Sequence, residues 1–133
     1  MSGRGCPGSY DAEAGVYDES RGGRDRARAA AAAVLALVPA GGTALDVAGG
    51  TGIVSAELAD AGFEVVVADL SLGMLSVAAT RLPGRTIAAA AERLPVRDAC
   101  VDVVTTIWLL HLVPIAVADT VIAEAARVLR PGG

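Results

Sequence analysis

The chain has 133 residues, a net charge of -4 and no lysine among its 11 basic residues, so it is sized for one domain and carries no basic footprint for nucleic acid. Hydrophobic residues make up 53% and mean hydropathy is +0.53, a membrane-like figure that 28 alanines account for. The longest uncharged runs, Ala29–Leu45 and Val103–Ala118, are broken by Pro39, Gly41 and Gly42 or by His111 and Pro114, and both fall short of the ~20 residues of a spanning helix.

No basic stretch precedes an apolar core at the N-terminus, so no signal peptide and a cytoplasmic location are expected. Residues 1–22, rich in glycine and containing Cys6, read as a flexible leader to a domain over 23–133. Arg24 to Val38 places Ala27, Ala31, Val34, Leu35 and Val38 at helical spacing, and Pro39 with Gly41 and Gly42 ends that helix. A strand then runs through Leu45, Asp46 and Val47 into the turn Ala48-Gly49-Gly50-Thr51-Gly52. Ile53 to Ala61 forms the next helix, closed by Gly62, and the β-branched run from Phe63 ends at Asp69 as strand 2. Ser71 caps a helix that continues to about Arg81, and Pro83-Gly84 marks a turn. Arg85 to Ala90 is a poor strand by propensity, assigned by its place in the series, whereas Val101 to Leu109 is an unbroken apolar strand. Pro114 opens a helix with Ala118, Val121, Ile122, Ala125 and Leu129 on one face. Strands alternating with helices predict an α/β fold with a Rossmann-like, doubly wound parallel sheet.

The glycine turn carries the functional signal. Glycines at 49, 50 and 52 let the backbone approach a ligand closely, and the helix after them aims its N-terminus there. A dinucleotide fingerprint needs a further glycine where Ser55 stands, and without lysine a Walker loop is excluded. Asp46 would repel a pyrophosphate but suits a ligand bearing an ammonium group, while Asp69 at the end of strand 2 can accept both ribose hydroxyls of an adenosine. Ribose plus amino acid points to S-adenosylmethionine. Asp46 also reads as an acid bonding its own turn, and Asp69 as a cap for the helix after Ser71.

Four segments then resemble, in order and spacing, the successive motifs of class I S-adenosylmethionine-dependent methyltransferases. They are Leu45 to Gly52, Ala68-Asp69-Leu70-Ser71, Ala91-Glu92-Arg93-Leu94-Pro95, and Arg127-Val128-Leu129-Arg130-Pro131-Gly132-Gly133. Ala48, where many members carry glycine, is similar to the ubiquinone/menaquinone-biosynthesis C-methyltransferase branch of the type 11 group. The resemblance covers residues 10 to 133 and implies sheet order 3-2-1-4, with further strands after the Pro-Gly-Gly turn that this sequence lacks. It implies cofactor contacts at Asp46, Ala48, Gly50, Thr51, Gly52, Asp69, Leu70 and Ile107, with the Ala91 backbone amide and Leu94 at the adenine. The acid that members commonly use on the adenine amino group is replaced by Ala90, which removes roughly 1.5–3 kcal/mol of bonding unless Glu92 compensates. Tyr17 and Arg21 match an N-terminal element that covers the cofactor and helps bind its carboxylate.

His111, the sole histidine, follows strand 4 and is a candidate general base, with core packing as the plainer reading. With Cys6 and Cys100 it leaves a zinc site short of ligands, so no metal is expected. Ending at Gly133 would leave the strand 4 edge from Val101 to Trp108 open, which reads as a truncated chain or as an edge for self-association. The expected activity is methyl transfer to a small-molecule acceptor, with neither nucleic acid nor membrane as partner. Two other classes stay open: a non-enzymatic cofactor-binding fragment or pseudoenzyme, favoured by Ala90, and an NAD-dependent oxidoreductase, disfavoured by Ser55 and Asp46.

Overall fold

A computed structural model describes residues 16–39 and 41–133. Cys6 and most of the expected 1–22 leader lie outside them. In chain order the elements are α1 (Tyr17–Ser20), α2 (Gly23–Leu35), β1 (Thr43–Val47), α3 (Ile53–Asp60), β2 (Glu64–Asp69), α4 (Leu72–Arg81), β3 (Thr86–Ala88), β4 (Val103–Thr105), a 3-10 turn (Leu110–Leu112) and α5 (Ile115–Val128). All strand pairings are parallel, in the expected order β3-β2-β1-β4.

Strand alternation sorts the core onto two faces. Ala44 of β1 and Val65 of β2 pack with Ala27, Ala31, Val54 and Leu58 from α2 and α3. Leu45, Val47 and Ala68 face the other way, toward Leu94, Val101 and Val128. Val67 meets Leu75 and Ala78 of α4 and Leu82 just after it. By the same alternation Asp46 faces α3, which is why a polar group from that helix must answer it.

Local signals hold where backbone chemistry decides them. Ser71 Oγ accepts from the Met74 amide at 3.1 Å and caps α4, and Gly62 takes a positive φ of 105° after α3. Strand ends are corrected. The strand expected over Val101–Leu109 pairs only at Val103–Thr105, because Trp108 adopts φ 63° and turns the chain out of the sheet. Val101 instead bridges Leu129, with the Val101 amide donating to the Val128 carbonyl and the Arg130 amide donating to the Val101 carbonyl, so the start of the expected open edge is covered by the chain itself. The strand expected over Arg85–Ala90 shortens to Thr86–Ala88, since Ala90 forms an antiparallel bridge with Arg93. The first long helix runs Gly23–Leu35 and not to Val38.

The loop after β3 is fastened to α5 by Arg127. Its guanidinium donates to the carbonyls of Leu94 and Val96 and pairs with Asp98 and Glu124, while Glu124 accepts from the Leu94 amide at 2.6 Å. These contacts hold the Glu124 carboxyl down at about 2, chiefly through Arg127.

Candidate functional site

A cavity of about 370 Å³ opens at the C-terminal ends of the strands, where a doubly wound sheet places its ligands. Its floor is the turn between β1 and α3. Ala48, Gly50 and Gly52 take φ of 56°, 61° and 73°, a left-handed succession that costs least at glycine. Gly50 has room beside it: a Cβ there would meet only Met74 Sδ at 4.0 Å, so the bare backbone faces space that a ligand can fill. Gly52 does something else. It is not among the lining residues, and a Cβ there would come within 3.2 Å of Ala78, so its role is close packing of the turn on α4.

Asp69 holds the two neighbouring turns together. One carboxylate oxygen accepts from the Gly50 amide and the other from the Ser71 amide, both at 2.9 Å, and the residue lines the cavity. The expected bond to the turn before α4 is present, and each oxygen keeps a further lone pair. Asp46 is 2% exposed yet also borders the cavity. Its oxygens accept from Ser55 Oγ at 2.6 Å and Thr105 Oγ1 at 2.9 Å, so it bonds hydroxyls of α3 and β4 and not the amides of its own turn. Burial pushes its carboxyl up to about 6, against the lowering effect of the two hydroxyls.

Thr51 is 1% exposed, and its hydroxyl does not point to open space but donates to Asp18 of α1. Tyr17 and Asp18 line the cavity, whereas Arg21 does not: its guanidinium lies over the Tyr17 ring at 4.8 Å and donates to Ser20 Oγ. The described end of the expected leader is thus a helical turn set against the cavity.

Toward the adenine side expected from the sequence, Ala91 and Glu92 line the cavity and Leu70 stands at its rim, 56% exposed. Leu94 is buried in the core, packed with Val101 and Val128, and is not a lining residue. Ile107 lines the β4 end together with Trp108, Leu109, Leu112 and Val113. His111 is exposed and absent from the lining, whereas Leu112 of the same 3-10 turn is in it.

Several participants were not singled out from the sequence. Ser55 and Thr105 carry no marker beyond being polar in apolar surroundings, which was itself a usable signal. Asp18 sits inside the Tyr17–Arg21 segment that matches the family's N-terminal element. Trp108 has only its position after strand 4 to mark it, yet it lines the cavity and the Arg26 guanidinium lies 3.9 Å from its ring centre.

A methyltransferase domain family matches residues 45–133. A demethylmenaquinone methyltransferase of Beutenbergia cavernae is 46% identical over 90 residues, covering 67% of this chain and 37% of the relative. One from Parafrankia sp. is 39% identical over 150 residues, covering 93% of this chain and 58% of the relative. The chain spans about half the length of the curated relatives it matches. Among solved structures, a protein of Pyrococcus horikoshii OT3 superposes with a TM-score of 0.76 at 30% identity, over 83% of this chain and 54% of that one. These likenesses leave the dinucleotide-oxidoreductase reading without support, and the matched segment contains the whole glycine turn, Asp69 and all of the sheet but the first two residues of β1. The chain belongs to the class I S-adenosylmethionine-dependent methyltransferase family.

Proposed function

We propose that the cavity binds S-adenosylmethionine and that the chain directs its methyl group to a small, apolar acceptor. The observation that carries this is Asp69, held by the Gly50 and Ser71 amides at the cavity wall with lone pairs left for two ribose hydroxyls. The residues present fit the cofactor: the Gly50 backbone leaves space, Asp46 offers a carboxylate for an ammonium group, and Tyr17 closes one side. Ala91 and Glu92 take the adenine, with Glu92 standing in for the acid missing at Ala90. Leu70 and Met74 give it apolar contact. The cofactor supplies a methyl group activated by its sulfonium.

The chain's own work is positioning and exclusion of water. Ile107, Leu109, Leu112 and Val113 offer an apolar wall on which an acceptor can be held near the cofactor site, and proximity of that kind carries much of a transfer rate without a dedicated base. The names of the relatives favour a quinone-like ring as the acceptor. No helix among the described residues is long and apolar enough to cross a membrane. A cytoplasmic protein without a nucleic-acid or membrane partner completes the reading, and the outer edge of β4 past Val101 is where a second copy would pair.

A non-enzymatic cofactor binder is the second reading, and Ala90 is the observation that favours it. Calorimetric titration with S-adenosylhomocysteine decides first. Micromolar binding that Asp69→Ala abolishes supports the site, and a folded chain that binds nothing removes it. Methyl transfer to any member of a panel of quinols, phenols and amines then rejects the non-enzymatic reading.

A further inference from the structure

None of the four residues of α1 is buried, and α1 joins α2 through Gly22 and Gly23, both at positive φ (96° and 60°). A link of that kind hinges more readily than one built from residues with a Cβ. Even so, Tyr17 and Asp18 form part of the cavity wall. Three contacts meet at this point. One Asp18 oxygen accepts the Thr51 hydroxyl, and the other pairs with Arg81 Nη2 at 2.8 Å. Arg81 Nη1 in turn donates to the Thr51 carbonyl at 2.8 Å. A single guanidinium therefore fastens α1 and the glycine turn to the last turn of α4, using the forked geometry that a lysine lacks. The Asp18 side chain is 15% exposed, so the pair is partly sheltered from solvent screening.

We propose that Arg81 is a positioning residue that latches α1 over the cavity and lengthens the residence of the bound cofactor; this rests on the cavity being the S-adenosylmethionine site. Arg81 does not line the cavity and acts through Asp18 and Thr51. The latch is a property of the closed wall: it slows departure of the ligand and contributes little to its first encounter.

The test compares the chain with Arg81→Met, Asp18→Asn and their double variant. Trp108 is the sole tryptophan and lines the cavity, so stopped-flow fluorescence reads S-adenosylhomocysteine dissociation directly. Hydrogen exchange at the hydrogen-bonded amides of Ser20, Arg21 and Gly22 reads the latch without any ligand. Each single variant is expected to speed dissociation about tenfold with association little changed, and the double variant to be no faster than either, because one contact is lost in all three. Exchange at residues 20–22 rises in each, and Arg81→Lys recovers part of both effects. Wild-type dissociation and exchange in Arg81→Met, or single effects that add in the double variant, overturn the latch. If Arg81→Met does not fold, Asp18→Asn decides by the same two readouts. A folded wild-type chain that binds no S-adenosylhomocysteine overturns the cavity reading and this inference with it, whereas tight binding with unchanged variant rates overturns the latch alone.

Discussion

At the β1–β2 end of the cavity, Asp46 and Asp69 each accept two hydrogen bonds from groups on neighbouring elements, so their carboxylates are aimed before any ligand arrives. At the β4 end, Ile107, Leu109, Leu112 and Val113 line the same cavity from a segment bent out of the sheet at Trp108. The contrast follows from what each side chain costs to place. A buried carboxylate is tolerable only when bonded, which forces a fixed constellation, whereas apolar walls gain from contact area and tolerate many shapes. One end suits a ligand of fixed charge and shape, and the other tolerates apolar groups of varied shape.

Asp69→Ala should break the contrast most. It removes the acceptor for two backbone amides and for the proposed ribose contact, and calorimetry should show S-adenosylhomocysteine affinity falling about a hundredfold, against threefold or less for Leu112→Ala at the other end. The comparison fails if the two variants lose affinity equally.

Asp46 adds a pH dependence of two opposite signs. Its carboxyl sits at about 6 in the fold, above the ordinary 3.8, so its neutral form is the one the fold prefers. Stability from this group is full below pH 3.8 and is lost as pH rises through 6. Ligand binding runs the other way, because an ammonium group wants the carboxylate. From pH 7 to pH 5, S-adenosylhomocysteine affinity should fall about tenfold in the wild type. Asp46→Asn should flatten that slope, bind weakly throughout, and melt higher than the wild type at pH 7.

A smaller effect belongs to the loop that carries Ala91 and Glu92. Arg127→Met should lower the melting midpoint and weaken binding by a few-fold, since the Leu94 and Val96 carbonyls lose their donor. The Glu124 carboxyl, depressed to about 2 by Arg127, contributes stability that is present above pH 4.5 and lost as pH falls toward 2. Acid melting curves should show that loss in the wild type and much less of it in the variant. Least of all, His111→Ala should change S-adenosylhomocysteine affinity by less than about twofold, as expected for an exposed residue outside the lining.

Legibility in the sequence tracked the range of the interaction. Ser71, Gly62, Gly50 and Gly52 act within a few residues of themselves, and their cap and left-handed conformations are readable from residue type, whereas the left-handed φ of Ala48 is not. Leu94 and Ile107 were equally apolar in the sequence, yet one is core and the other cavity wall, because burial against Val128 or exposure to the cavity depends on elements tens of residues away. Arg21 and Arg81 show the same limit. Both are arginines near helix ends, and the one that was favoured for the site folds back on Tyr17 while the other reaches the glycine turn.

By itself the sequence determined a parallel α/β sheet, through the alternation of β-branched runs with helical spacing, and a glycine turn after β1, where Gly50 and Gly52 take left-handed φ, while the strand order came from the motif resemblance. Tertiary structure alone decided that Gly52 packs on Ala78, that His111 faces away, and that Asp18, Thr51 and Arg81 meet. Side-chain direction and long-range pairing are set by how elements pack on one another, and no local pattern of residues encodes that distance.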